Sequence, residues 1–143
     1  MAYSFGKASK RNIDTLHEDL QRVLYEDIKT AKIDYCIYCG YRGEKEQNAA
    51  YDANKSQLRY PASNHNKTPS MAFDFAPYNT KSPHIRWEEV DQFQKVAKHI
   101  MSTAKKLGIE LEYGGDWESF KDYPHMQLSK ERKSDGVVEC TDI

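Results

Sequence analysis

The segment from Trp87 to Leu107 places apolar side chains at helical spacing over six turns. Positions three and four apart share one face of an α-helix, and the apolar set here is Val90, Phe93, Val96, Ala97, Ile100, Met101, Ala104 and Leu107. Gly108 follows where a C-terminal cap belongs. A helix with one apolar face is stabilised mainly by packing that face against another element. The rest of the chain must therefore supply a surface that covers this helix.

Further helices and strands are predicted around it. Ser9 is a candidate N-cap for an amphipathic helix that begins near residue 10, runs to Ile28 and bends near His17. A short helix begins at residue 43 and gives way to a loop before residue 60. Strands are predicted in "IDYCIYCGYR", "MAFDFAPY", "IELEYGG" and "HMQL". This order predicts an α+β fold, with helices packed on a small antiparallel sheet.

Size and composition limit the class of protein. The 143 residues fit a single domain, which we place at residues 1–128, followed by a loosely held polar tail at 129–143. The formal net charge is −1 with both signs mixed, which argues against a nucleic-acid partner. No apolar run could form a signal-peptide core or insert into a membrane. We therefore expect a soluble protein made in a cytoplasm.

Two histidines each have a carboxylate nearby in the sequence. His65 precedes Asp74 across a loop, and Asp122 lies three positions before His125. Catalytic zinc takes three protein ligands and leaves a fourth position open, and His65, Asp74 and His125 would supply that number. Asp122 would then carry protons. The residues alone leave an alternative open, in which His65 lies in a polar loop and Asp122 in a turn.

The other histidines and the cysteines have simpler interpretations. His17 lacks the second histidine of a helical zinc motif, so a surface or capping role is expected. His84 and His99 have no ligand-type residue at a useful spacing. Cys36 and Cys39 form a CxxC without the second pair of a structural zinc site, and we expect core or half-buried thiols. The odd cysteine count implies no disulfide framework.

The stretch "SNHNKTPSMAFDFAPY" and the later "GGDWESFKDYPHMQL" resemble the motifs of a zinc peptidase family. It is the family of D-Ala-D-Ala carboxypeptidases and L-alanyl-D-glutamate endopeptidases, with VanY-like and phage endolysin members. The matching positions are Ser63, His65, Ala72, Asp74, Asp122 and His125, and "CGYRGEKEQ" resembles the family's Gly-Tyr-Arg segment. The chain departs from the compact first motif by two extra residues and by Ser70 in place of a glycine. Many members have glutamate where this chain has Asp122.

The resemblance implies a hedgehog-like fold and a Zn²⁺ ion held by His65, Asp74 and His125. It further implies hydrolysis of a stem-peptide bond by attack of a zinc-bound water, with Asp122 moving protons. Arg42 is expected at the edge of the cleft, where it holds a substrate carboxylate or stabilises the oxyanion.

Four further residues have expected roles. Ser63 is expected to hold a ligand or the substrate, and Gln47 to line the substrate cleft. Asp116 is expected to accept the spare ring N–H of His125 and so fix its tautomer. For Trp117 core packing is favoured, with stacking on a sugar as the alternative.

These expectations combine into one hypothesis about function. We predict a monomeric phage endolysin, a zinc metallopeptidase that cuts the L-alanyl-D-glutamate bond of bacterial peptidoglycan stem peptides. It waits in the host cytoplasm until another protein opens the membrane, and then acts in the periplasm or cell wall. The alternatives are a D-Ala-D-Ala carboxypeptidase, a general protease, and a non-catalytic virion or wall-binding module.

Overall fold

The computed structural model describes residues 3–119 and 121–129. Within these ranges the chain forms helices α1 (Lys7–Ile13), α2 (Glu18–Ile28), α3 (Glu44–Asp52) and α4 (Val90–Lys106), and strands β1 (Tyr35–Cys39), β2 (Ala72–Pro77), β3 (Leu111–Tyr113) and β4 (His125–Leu128). Short 3₁₀ turns lie at Asn64–Asn66 and Gly114–Asp116. The predicted α+β class is confirmed.

The strands form one antiparallel sheet in the order β1-β2-β4-β3. The central strand β2 is buried along its whole length. Its Asp74 lies opposite His125 of β4 and opposite Cys39 of β1. The β1–β2 register shifts between Ile37 and Cys39, which leaves Tyr38 in a β-bulge. Bulges bend a strand and redirect side chains, and this one lies beside Asp74.

Side chains alternate between the two faces of the sheet. One face carries the core residues Phe73, Phe75 and Met126, all fully buried. Helix α4 covers this face, and its Phe93 ring lies 6.0 Å from the Phe75 ring. The predicted apolar stripe is therefore the packing face of α4, and Gly108 follows with a positive φ of 75°. The opposite face carries the polar side chains of β2 and β4.

A buried carboxylate joins the two long helices to the sheet. Asp27 of α2 is 0% exposed and accepts hydrogen bonds from the hydroxyls of Tyr35 and Thr103. The ring of His99 on α4 is its third partner, through Nδ1. His99 thus has a structural contact rather than a ligand role, as predicted.

The N-terminal helical region differs from the prediction of one bent helix. Helix α1 begins at Lys7, so Ser9 lies inside the helix and is not its cap. The Ser9 hydroxyl instead accepts a hydrogen bond from the backbone N–H of Ile37, which holds α1 against β1. Residues 14–17 separate α1 from α2, and His17 caps α2 by accepting from the backbone N–H of Asp19.

Two expectations lie partly outside the described residues. The predicted tail is represented only by Ser129, whose backbone N–H donates to the carbonyl of Glu110. Cys140, the third cysteine behind the odd count on which the absence of a disulfide framework was predicted, falls among the residues that are not described. In the described ranges no helix has the length and apolar character needed to cross a membrane.

Candidate metal centre

The polar face of the sheet brings together three residues that are far apart in sequence. His65 comes from the 3₁₀ turn Asn64–Asn66, Asp74 from β2, and His125 from β4. Nε2 of His65 lies 3.2 Å from Nδ1 of His125, and each of these nitrogens lies 3.4 Å from Oδ1 of Asp74. Ligand atoms about 2.0–2.1 Å from a tetrahedral zinc ion lie roughly 3.3 Å from one another. The predicted ligands thus have the spacing of a zinc site.

The carboxylate oxygen at this point has no other partner. Oδ1 of Asp74 is buried and accepts no hydrogen bond in the described part of the chain. A buried polar atom without a partner carries a free-energy cost of about 1–3 kcal/mol, and a cation would remove it. The donor set of two imidazoles and one carboxylate suits zinc. The residues present therefore fit the metal that the sequence predicts.

Hydrogen bonds aim both histidines at the same point. Nδ1 of His65 lies 2.8 Å from the carbonyl oxygen of Gly40, and Nε2 of His125 lies 2.7 Å from Oε1 of Gln127. When these outer nitrogens carry the ring protons, the inner nitrogens keep their lone pairs for a metal. Gly40 reaches His65 because its backbone packs closely on α1, where an added Cβ would lie 2.5 Å from the carbonyl oxygen of Asn12.

Gln127 occupies the position that the sequence analysis assigned to Asp116. Asp116 is exposed in the second 3₁₀ turn, and the described contacts of His125 Nε2 go to Gln127 instead. The signal was present in the sequence, because residues i and i+2 of a strand share a face. Gln127 is two positions after His125 in β4.

Arg42 lines the cleft and contacts a proposed ligand. One guanidinium nitrogen lies 3.1 Å from Oδ2 of Asp74, and the other donates to Oε1 of Gln47 at 3.0 Å. The two oxygens of Asp74 thus have separate roles, since Oδ2 binds Arg42 while Oδ1 faces the histidines. Only 17% of the Arg42 side chain is exposed. Its geometry is that of a residue that orients the carboxylate.

Gln47 was predicted at the substrate, but the structure buries it completely. Its Nε2 donates to the carbonyl of Leu58 at 2.6 Å and to the hydroxyl of Ser56 at 2.9 Å. Its Oε1 accepts from Arg42 and from Asn66. The side chain fills all its hydrogen bonds inside the fold, so it connects the loop after α3 to the metal centre and leaves nothing for a substrate.

Ser63 lies beside the cleft and holds the loop that carries His65. Its hydroxyl accepts from the backbone N–H of His65 at 3.1 Å, while its own N–H donates to the side chain of Asn66. These reciprocal bonds form a capping box. Of the two expectations for Ser63, the structure supports contact with the ligand segment.

Asp122 lines the same cleft, at the turn that leads into β4. Its backbone N–H donates to the carbonyl of Gly114, and its carbonyl accepts from the N–H of His125. Gly114 permits this close contact, because an added Cβ would lie 2.5 Å from the carbonyl oxygen of Asp122 and 3.0 Å from Cβ of His125. The turn thus places the predicted proton carrier next to the metal centre.

The close approach of these ionisable side chains shifts their pKa values. Burial and then the Asp74 carboxylate raise the pKa of Asp122 to about 6. Burial has the largest single effect on the pKa of His65 and lowers it, but Asp74 and Cys39 together raise this pKa to about 10. Burial also raises the pKa of Asp74, while the two histidines bring it well below its usual range. A proton on Nε2 of His65 and a metal ion would compete for the same lone pair, so binding of a metal by these residues would release a proton.

Cys39 is a neighbour that the sequence analysis missed. With His65 and Asp74 it forms a second group whose ligand atoms lie within 4.8 Å of one another. Its Sγ is 3.9 Å from Nδ1 of His65 and 3.6 Å from Arg42. Because Nδ1 already faces the carbonyl of Gly40, the thiol lies on the outer side of the imidazole. We therefore favour the group that contains His125. Both Cys36 and Cys39 are half-buried and free, as predicted.

An open cleft runs over the metal centre. Its walls include aromatic side chains that the sequence analysis did not assign to the site, among them Tyr38 and Trp87. Trp117 was expected in the core, but it is half-buried and its ring lies 5.2 Å from that of His125. Its Nε1 donates to Glu112, whose other oxygen accepts from Gln127. The cleft volume of about 1410 Å³ exceeds that of a typical small-molecule pocket, as suits a polymeric ligand.

Comparison with solved structures defines the class of protein. The crystal structure of Serratia marcescens L-Ala D-Glu endopeptidase ChiX superimposes with a TM-score of 0.75, covering 88% of this chain and 90% of that one at 27% identity. The fold with its polar cleft is that of a peptidase domain.

Sequence comparisons then identify the family. The profile of the family described as phage L-alanyl-D-glutamate peptidase matches residues 1–137. The L-alanyl-D-glutamate peptidase of Escherichia phage T5 is 33% identical over 142 residues, which is 97% of this chain and 98% of that protein. The peptidoglycan L-alanyl-D-glutamate endopeptidase CwlK of Bacillus subtilis is 36% identical over 107 residues, 67% of this chain and 61% of that protein. The chain belongs to the phage L-alanyl-D-glutamate peptidase family.

Proposed function

We propose that this chain is a zinc-dependent peptidase that hydrolyses the L-alanyl-D-glutamate bond of peptidoglycan stem peptides. The convergence of Nε2 of His65, Oδ1 of Asp74 and Nδ1 of His125 in an open cleft carries the proposal. The scissile bond is supported by the family and by the names of its relatives.

The three converging atoms would hold the zinc ion, since catalytic zinc takes three protein ligands. When bound, the metal supplies a Lewis acid that polarises the scissile carbonyl and lowers the pKa of a water molecule. Arg42 holds Oδ2 of Asp74, so the other oxygen, Oδ1, lies toward the two imidazoles and would be the one to bind the metal. Gly40 and Gln127 keep the two imidazoles in the tautomers that bind.

Asp122 is proposed to move the protons. It lies on the cleft wall beside His125, and its pKa is raised to about 6. A general base works best when its pKa lies near the pH at which the enzyme operates. Its carboxylate would take a proton from the attacking water and return it to the leaving amine. A metal site that only stabilised the fold would have no need for a proton-carrying acid in the cleft.

The test is mass spectrometry of fragments released from purified peptidoglycan. We expect new amino-terminal D-glutamate, no release after treatment with a chelator, and recovery when zinc is added. Asp122→Ala should bind zinc and fold normally but release no fragments above background. Loss of terminal D-alanine instead would identify a carboxypeptidase, and full activity of Asp122→Ala would remove its proposed role.

We also propose a role in host lysis, supported by the phage family to which the chain belongs. The enzyme would stay in the host cytoplasm until another protein opens the membrane. Bacteria that express it should remain intact until a pore-forming agent is added and then lyse, whereas bacteria expressing Asp122→Ala should persist as permeabilised cells. Lysis without the agent would contradict this proposal.

A further inference from the structure

Tyr38 and Trp87 form an aromatic platform on the wall of the cleft. Trp87 is 53% exposed, and its ring stacks on that of Phe93 at 5.9 Å with an interplanar angle of 26°. Tyr38 is 40% exposed and meets Trp87 edge to face at 5.4 Å. Because Phe93 is buried in the core, the indole is supported from one side and keeps contact area free on the other.

The platform begins next to the metal centre. Tyr38 occupies the β-bulge and is followed by Cys39, which lies opposite Asp74 in the sheet. Neighbouring strands are about 4.8 Å apart, so Cys39 lies beside the proposed ligand Asp74, and the backbone of Tyr38 is one residue farther along β1. A braced aromatic ring offers a large contact area and loses little conformational entropy on binding. The platform is thus built to bind part of the molecule that occupies the cleft.

The chemistry of the proposed substrate places a sugar nearby. In peptidoglycan the amino group of L-alanine is acylated by the lactyl group of a muramyl sugar. One residue and one lactyl group therefore separate the L-alanyl-D-glutamate bond from the sugar ring, a span of about 7 Å if each extends like a residue. An enzyme that cuts this bond in the intact polymer must accommodate the sugar close to its metal centre. An enzyme that cut the stem peptide at a bond farther from the sugar would not need to accommodate the sugar near its metal centre.

We propose that Trp87 and Tyr38 form a subsite for the muramyl sugar, and that this subsite makes glycan-linked stem peptides better substrates than free ones. The inference rests on the proposed function. The apolar C–H face of a pyranose packs on the exposed indole, and the ring of Tyr38 holds the indole in place from its edge. Trp87 contacts none of the three proposed ligands, so its role can be separated from metal binding.

Kinetics on two substrates test the subsite. We expect kcat/KM to be about tenfold higher for a disaccharide-tetrapeptide than for the same tetrapeptide without sugar, which corresponds to the free energy of one aromatic contact. Trp87→Ala should abolish this ratio and leave hydrolysis of the free peptide unchanged, and Trp87→Phe should keep most of the ratio. Tyr78→Ala is the matched control, since Tyr78 is 41% exposed and stacked on His84 outside the cleft lining.

The outcomes separate the subsite from the proposed function. Equal kcat/KM for both substrates in the unaltered enzyme, or an equal loss on both in Trp87→Ala, would overturn the subsite while peptidase activity stands. If neither substrate were cut, the proposed function would fail, and calorimetry with the disaccharide carrying only L-alanine would still decide the subsite. We then expect binding that Trp87→Ala weakens about tenfold, and no binding by the unaltered protein would overturn it.

Discussion

The two oxygens of Asp74 have different surroundings. Arg42 binds Oδ2, whereas Oδ1 lies between the two histidines without a hydrogen bond. The bond from Arg42 to Oδ2 prevents the carboxylate from turning, so Oδ1 remains toward the histidines. We predict that Arg42→Ala lowers zinc affinity about 10–100-fold, the usual effect of removing a residue that orients a ligand. Competition with a chromophoric chelator measures the affinity, and circular dichroism checks the fold.

The variant Arg42→Lys separates the effect of the positive charge from that of the guanidinium hydrogen bonds. A lysine retains the charge near Asp74 but cannot bind Asp74 and Gln47 together, because it lacks the planar fork. Its zinc affinity should fall between those of the other two proteins. Unchanged zinc affinity in Arg42→Ala, with a loss confined to kcat, would instead favour the oxyanion or substrate role expected from the sequence.

The tautomer of His125 provides a second prediction at this scale. Removing the Gln127 acceptor frees the ring to turn or to change tautomer. Gln127→Ala should therefore weaken zinc binding about tenfold or more. Asp116→Ala is the control and should bind zinc like the unaltered protein, since Asp116 is exposed. If Asp116→Ala weakened zinc binding and Gln127→Ala did not, Asp116 would be the residue that fixes the tautomer of His125.

At the scale of elements, Asp27 connects α2 to β1 and α4. Asp27→Ala would leave the buried hydroxyls of Tyr35 and Thr103 and the partly exposed ring of His99 without an acceptor, so we expect it to lower the free energy of unfolding by about 3 kcal/mol. Tyr35→Phe removes one bond, and about 1 kcal/mol is expected. Urea denaturation measures both.

The control for Asp27 is an acidic residue that holds no elements together. Asp52 is exposed at the end of α3, where it pairs with Arg59 at 3.5 Å. Asp52→Ala should change the free energy of unfolding by no more than about 0.5 kcal/mol. Equal effects of Asp27→Ala and Asp52→Ala would show that the buried network does not stabilise the packing of α2 and α4.

At the scale of the whole molecule, the metal centre joins distant parts of the chain. Its proposed ligands lie at positions 65, 74 and 125, so the site forms only when the sheet is assembled. A ligand of the native state alone stabilises it by about 2.7 kcal/mol at a concentration of 100 Kd. We expect zinc to raise Tm by several degrees and a chelator to reverse the rise. His125→Ala should show little response, and an equal shift in that variant would place the metal elsewhere.

Local sequence patterns predicted most of the elements. The stripe of α4, its terminal Gly108, and the strands around Asp74 and His125 follow from periodicity and composition, which act over a few residues. The spacing of residues suggested the three ligands, and the family resemblance selected them from the alternative of a polar loop and a turn. Their convergence in the structure agrees with that choice.

The sequence by itself thus determined the fold class, most of the elements and the candidate ligands. Tertiary structure decided the partners: Gln127 rather than Asp116 beside His125, Asp74 beside Arg42, a buried Gln47, and an interior Ser9 that binds Ile37. The physical reason is that a side chain bonds to whatever strand register and helix packing place within about 3 Å. Those neighbours come from distant segments, and local periodicity carries no information about them.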